Sequence, residues 1–353
     1  MNLEQILGEY SPLTLTEAVR MIKEEPFVLT RALGRNVIRS ATATCAFEVE
    51  EGTYHLAPMG YSGDPATNVN VGRKRVTHTV TPPQLFMKDR VTASELNSVR
   101  ALGANPINMT ANDKGAAFDE LIGIKQQGLR QMIDRRLEWM FAQAMNGKIE
   151  YQSESGRAFS FDYGLPPAVN MSGGGSGYWN ADGDPLHQLR ALSKEFRRLN
   201  AQIAPDLIVM GGDAGDAFMN NAKIEAWLKS PGVNFLQTNA PLGRGEAQPL
   251  GTLQGAEIYE YCATYEETDG RGKTKAVPYL EPDHVYLTNS RLWRLHYGAI
   301  HDFDAGDPPL VMGELFSKMK IASDGKSMDI FVESHPLPVM VSNLAVVRAK
   351  VVG

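Results

Sequence analysis

Three short stretches of the chain hold residue types that could do chemistry. The first is GYWNADGDP, residues 177–185, in which Asn180, Asp182 and Asp184 fall at every second position. That spacing opens a calcium-binding loop, but such a loop needs further oxygen ligands, a glycine, and a bidentate glutamate at its twelfth position. Here Pro185 follows Asp184, the twelfth position counted from Asn180 is Ala191, and Glu195 is out of register. The same residues make a helix start: Asp184 as the N-cap and Pro185 at the first helical position. The second stretch, DLIVMGGDAGDAF, has the strand–glycine–helix order of nucleotide-binding folds. Gly211, Gly212 and Gly215 miss the fingerprint spacing, and no phosphate-binding lysine follows. Asp213 and Asp216 would repel a phosphate, whereas they suit the positive end of a helix dipole. The third, HDFDAGD, gathers His301, Asp302, Asp304 and Asp307. A catalytic metal needs ligands from other segments and a base, and the remaining histidines are scattered singly. No serine-nucleophile motif is present. The expectation is a chain with no catalytic, metal or cofactor site.

Composition narrows the class. With 353 residues, 43% of them apolar and 22% charged, the chain can bury one large core or two medium ones. No apolar run is long enough for a membrane span, and no signal peptide is expected at the N-terminus. Cys45 and Cys262 are far apart in sequence and read as two buried thiols in a reducing compartment. A net charge of −6 without a basic block argues against sequence-specific nucleic-acid binding.

The elements that would position these residues can be read in chain order. Thr14 and Glu17 suggest a capping box for a short helix, LTEAVRMIKEE, ended by Pro26. FVLTRALG and ATATCAFEVEEGTYHL look strand-like. Residues 56–82 lack apolar periodicity and are too long for an ordinary connection, and RVTHTV within them alternates like one limb of a long hairpin. From 118 to 146 apolar residues recur with a 3.6-residue period: Phe118, Leu121, Ile122, Leu129, Met132, Ile133, Leu137, Met140, Phe141 and Met145. This predicts a rod roughly 40 Å long, stopped by Asn146-Gly147. A hairpin over 148–164, KIEYQ against FSFDY, follows the rod, and then comes a glycine-rich connector. An α/β segment begins at 185: helix PLHQLRALSKEFRRLN, strand DLIVM, helix AGDAFMNNAKIEAWLK, then strands AEIYEYCATY, HVYLTN and LWRLHYGAI. A hairpin turning at Asp324-Gly325 and a strand LAVVRAKVV close the chain.

Taken in order, these parts resemble the lambda-type major capsid proteins of tailed bacteriophages, the E family. The resemblance covers nearly the whole chain and is carried by the rod running into NGKIEY…FSFDYGLP, by YWNADGDPLHQLRAL, DLIVMGGDAGDAFMNN and RLWRLHYGAIHDFD, and by ESHPLPVMVSNLAVVRAKVV. It implies an α+β, Hong Kong 97-like capsid fold. Residues 1–55 would be an N-terminal arm and 56–82 an E-loop lying over an adjacent subunit. Residues 83–184 would be a P-domain holding the spine helix, 185–300 an axial A-domain, and 301–353 a return to the P-domain. In the E-loop, Tyr61, Asp64, Arg73, Lys74, Arg75 and His78 would meet a neighbour, the basic trio facing its acidic residues. Gly173, Gly174, Gly175 and Gly177 would form a hinge between P- and A-domains as a shell expands. The function implied is a non-enzymatic shell subunit, forming hexamers and pentamers around double-stranded DNA in a virion assembled in the host cytoplasm. Its partners would be a separate scaffolding protein, a portal and a decoration protein, with no cofactor, no membrane and no sequence-specific grip on DNA. An encapsulin-like compartment is one rival, and a nucleotide- or metal-dependent enzyme built on 185–300 is another.

Overall fold

The computed structural model describes residues 10–23, 27–51, 74–92, 94–95, 111–152, 158–171, 177–228, 247–268, 273–306, 308–322 and 326–353. Helix α1 is Pro12–Met21. Its cap is Ser11, whose hydroxyl accepts from the Thr14 N–H at 3.3 Å, so the start lies three residues before the Thr14/Glu17 box expected from sequence. Pro12 decides this, because its fixed φ suits the first helical position and its missing N–H costs nothing there. Helix α2, Val28–Leu33, replaces the strand expected over FVLTRALG.

Helix α3 runs over Ala111–Met145 and begins seven residues before the predicted start, giving a rod of roughly 50 Å. Nine of its ten expected apolar contacts are buried, but Met132 is 56% exposed. The buried set Leu129, Ile133, Leu137, Phe141 and Met145 advances by four residues. Four residues overshoot one 3.6-residue turn, so the stripe winds around the rod and leaves Met132 outside it. The winding matters because α3 serves two cores. Its first half packs Phe118, Leu121, Ile122 and Leu129 against Leu15 and Val19 of α1, together with Ile330 and Val332. Its second half, from Leu137 to Met145, joins the larger core with Trp179, Phe196, Phe218 and Trp293. Gly147, at φ +99°, ends the rod in a conformation that disfavours a Cβ.

The small sheets pair in place. Strand β1 is Val37–Arg39. Strand β2, Cys45–Glu51, pairs antiparallel with β3, Lys74–Val80, and β3 contains the alternating RVTHTV. Strand β4, Leu85–Thr92, alternates in burial but not in residue type, so the sequence offers no strand there; its partner lies far along the chain. After α3, β5 (Lys148–Gln152) and β6 (Ala158–Asp162) form the predicted hairpin, with Ile149 opposite Phe161.

The largest sheet has six strands. In spatial order they are β7 (Val169–Asn170), β20 (Val346–Lys350), β13 (His284–Thr288), β8 (Leu207–Gly211), β10 (Ala256–Tyr261) and β9 (Ala247–Leu253). Helix α4, Pro185–Leu199, packs on β13 and β20. The long helix expected after β8 is instead two, α5 (Gly212–Met219) and α6 (Ala222–Leu228). The break is at Asn221, whose side chain accepts from the Lys223 N–H at 3.0 Å and donates to the Trp179 carbonyl at 3.0 Å. Beyond β10 a separate hairpin pairs β11 (Thr264–Thr268) with β12 (Thr274–Pro278). Strand β14 (Trp293–Tyr297) pairs with β1 and with β19 (Pro336–Met340). Strands β15 (Ile300–His301) and β16 (Leu310–Val311) make a short pair. The hairpin β17 (Phe316–Ile321) and β18 (Ser327–Ser334) completes a sheet with β4. The stretch 301–353 is therefore divided between sheets: β17 to β19 lie in the smaller ones, while β20 sits inside the sheet built mostly from 185–300.

Candidate assembly surface

Each stretch able to do chemistry is consumed by structure. In 177–185, Asp184 accepts from the His187 N–H at 3.0 Å and Pro185 opens α4, as the helix-start reading requires. Asn180 donates to the Gly353 carbonyl at 3.1 Å, and Trp179, 1% exposed, donates its Nε1–H to Gln188 at 2.7 Å. Gly177 accepts from Gln188 Nε2 at 3.0 Å. The other hinge residues, Gly173, Gly174 and Gly175, lie outside the described residues.

The glycines after β8 are there for packing. A Cβ on Gly211 would meet the Glu281 carbonyl oxygen at 2.3 Å, and one on Gly215 would meet Glu260 Cγ at 2.6 Å. The Ala214 N–H, near the start of α5, already donates to the Pro282 carbonyl at 2.9 Å. In HDFDAGD, Asp302 and Asp304 both pair with Lys318, and Asp304 also pairs with Lys320 at 3.1 Å. His301 is exposed, and Asp307 lies outside the described residues. Both thiols are disfavoured as thiolates. Burial pushes both Cys45 and Cys262 up to about 11, and the acidic Glu260, Asp216 and Asp213 add to the effect at Cys262. Cys262 is exposed rather than buried, which corrects the expectation for it.

Among the described residues one group, Glu281, Asp283 and His284, has its ligand atoms close enough together to hold an ion. Its charges are already matched. His284 Nδ1 lies 2.7 Å from Asp283 and 3.0 Å from Glu281, and Lys350 Nζ lies 2.8 Å from Asp283. Burial opposes a charged His284, but the two carboxylates outweigh it and hold its pKa above the ordinary value. The His284 hydrogen bond lowers Glu281 in turn. A cation there would compete with the His284 ring and the Lys350 ammonium for the same carboxylates.

What the side chains do build is a rigid frame around α3. Gln126, Arg130, Asp134 and Glu138 are buried polar residues spaced four apart along the rod. Gln126 donates to Ser317 Oγ at 3.3 Å, and Arg130 pairs with Asp134 at 2.9 Å. Glu138 is fully buried and accepts from the Leu29 N–H, the Thr30 N–H, the Thr30 hydroxyl and the Tyr261 hydroxyl, at 2.7–3.0 Å. It therefore caps α2, whose own N-cap residue, Phe27, has no side-chain acceptor. Burial raises its pKa, against the pull of those donors. At the end of the rod, Asn146 accepts from the Tyr286 hydroxyl at 2.7 Å, and Arg348 donates to the Asn146 carbonyl. Sequence reading missed this frame; polar residues at i, i+4 spacing on an apolar stripe were its visible sign.

Beside the rod lies an open apolar groove of about 240 Å³ between α3, β4 and the β5–β6 hairpin. Phe86 (49% exposed), Met132 and Tyr151 (40% exposed) line it, and the Arg136 guanidinium lies 4.9 Å from the Trp139 ring and 4.7 Å from that of Tyr151. Large apolar side chains left open side by side mark surfaces that neighbours cover. At the β2–β3 hairpin, register sets Arg75 opposite Glu50 and Lys74 opposite Glu51 within one chain. His78 is half-buried and meets Phe161 of the same chain edge-on at 6.5 Å. Tyr61, Asp64 and Arg73 lie outside the described residues.

A polar-braced rod, an open apolar groove and two-stranded hairpins with open edges suit a subunit that packs against others. The family described as Phage major capsid protein E matches residues 11–351, and the chain belongs to that family. No curated protein matches it. Among solved structures, it is similar to a crystal structure assigned as the capsid protein of a prophage of E. coli CFT073, with 17% identity, 99% of each chain covered and a TM-score of 0.62. It is also similar to the capsid protein of cyanophage A-1(L), with 10% identity, 94% and 97% coverage and a TM-score of 0.55. A phage-related protein of Bordetella bronchiseptica RB50 matches at 13% identity, 97% and 96% coverage and a TM-score of 0.51. The fold is the Hong Kong 97-like capsid fold, and the protein is a structural component of a phage virion shell. Neither the compartment reading nor the enzyme reading is favoured.

Proposed function

We propose that the chain is the repeating tile of an icosahedral phage head, forming hexamers and pentamers around packaged double-stranded DNA without catalysing any reaction. The observation that carries this reading is the family match over 11–351. Head-to-tail contacts generate closed rings, and small changes in subunit angle let one sequence occupy rings of two sizes. The arm comprises the first part of the chain to about β1, and the E-loop begins at β2 and returns through β3. Tyr61, Asp64 and Arg73 lie on this loop and meet an adjacent copy, which also covers the groove at Phe86 and Met132. The P-domain comprises α3, the β5–β6 hairpin and β17 to β19. The A-domain comprises 185–300 with β20 added to its sheet. Gly173 to Gly175 supply the pivot between them, and Gly177 is its fixed end.

A chain with net charge −6 suits a container, since a basic wall would hold the DNA it must release. A separate scaffolding protein guides assembly in the host cytoplasm, and a portal and a decoration protein complete the head. Electron microscopy of the purified chain, alone and co-expressed with its neighbouring head genes, tests this reading. Polyhedral particles or rings are expected. A stable monomer under every condition contradicts it.

A further inference from the structure

The β11–β12 hairpin stands apart from the sheets around it. Its base is anchored where Tyr265 packs against Tyr279 at 5.3 Å, and there the two strands leave the larger core. Beyond that base Glu266, Glu267, Lys273 and Lys275 are all exposed. Among the described residues neither strand has a second strand beside it. A lone two-stranded ribbon is marginal in water, and its open edges are templates for pairing with another chain. Its charge is also sorted by limb. Strand β11 carries Glu266 and Glu267, and the returning limb carries Lys273 and Lys275, with Glu267 directly opposite Lys275. One edge of the ribbon is therefore acidic and the other basic, so two copies side by side in the same orientation are complementary.

We propose that this hairpin is a lateral contact between copies, with the acidic β11 edge of one lying against the basic β12 edge of the next. The contact is head-to-tail, the kind that closes into rings. The inference rests on the reading of the chain as a shell subunit.

Charge reversal tests it in particle assembly followed by sedimentation and electron microscopy. Glu266→Lys with Glu267→Lys leaves only lysines as the charged residues of 264–268 and 273–278 (all-basic), and Lys273→Glu with Lys275→Glu leaves only glutamates there (all-acidic), Asp269 and Arg271 being unchanged in both. Each alone sets like charges at every contact and lowers assembled yield roughly tenfold or more. The fourfold exchange, carrying both pairs, restores complementarity and assembly. An equal mixture of the all-basic and all-acidic chains alternates around a ring. That alternation closes an even-membered ring and leaves one like-charge contact in an odd one, so the mixture yields hexamers, flat sheets or tubes at the expense of closed shells. Mixing cannot relieve the repulsion inside each hairpin, so recovery on mixing reports a contact between copies. Melting temperatures near that of the parent chain show that the variants fold. The inference is overturned if both reversed chains assemble as the parent does. It is equally overturned if, folded and soluble, neither the mixture nor the fourfold exchange recovers. Failure of the unmodified chain to assemble is a different result; it removes the shell reading and this contact with it.

Discussion

Glu138 shows how much of this structure hangs on single side chains that look misplaced in sequence. A glutamate on the apolar stripe of a helix reads as an interruption, yet its four donors join three distant segments. Glu138→Ala removes the acceptor shared by two α2 N–H groups and the Thr30 and Tyr261 hydroxyls, and should lower unfolding stability by about 3 kcal/mol in denaturant titrations. Asp184→Ala removes a cap and an exposed 3.7 Å pairing with Lys223, and should cost about 1 kcal/mol, by the same amount with or without calcium. A calcium-dependent loss would revive the metal-loop reading of 177–185. The His284 cluster gives a pH dependence. His284 is raised in the folded state, so its contribution is full below its unfolded pKa and is lost as pH rises through the folded value. Glu281 and Asp283 are lowered, so theirs holds above the ordinary carboxylate range and is lost as pH falls through the folded values. Melting temperature should therefore decline as pH rises above the ordinary imidazole range, and His284→Asn should flatten that decline.

At the scale of elements, what the sequence could disclose was what neighbouring residues decide. The rod α3, the β5–β6 hairpin, the strand β3 and the start of α4 all carry their periodicity or caps within themselves. Helix α2 was read as a strand because its cap comes from Glu138, more than a hundred residues away. Strand β4 was missed because its partner is β18, and β9 because its glycine and proline masked a bulged edge strand. The break between α5 and α6 depends on Asn221 reaching the 177–184 turn. The groove could not be read locally either, since Met132 differs from its buried neighbours only by the winding of the stripe. If a neighbouring copy covers that groove, Met132→Glu should reduce assembled yield about tenfold or more while shifting the melting temperature of the unassembled chain little. A fall in melting temperature with unchanged assembly would place Met132 in the fold alone.

One rod unites two cores, and each core takes elements from both sides of the rod in sequence. Such a subunit is held rigid along α3 by buried polar contacts and presents thin ribbons and an apolar groove to whatever lies alongside. On the proposed reading, the segment between β2 and β3 is the part whose purpose depends most on other copies. A cryo-electron microscopy map of assembled particles, with subunit boundaries traced, tests this directly. Residues 52–73 should extend from each copy over the adjacent one, with Tyr61 and Asp64 in contact with it. A map in which those residues fold back on their own molecule, leaving the Phe86 and Met132 groove bare, would contradict the account.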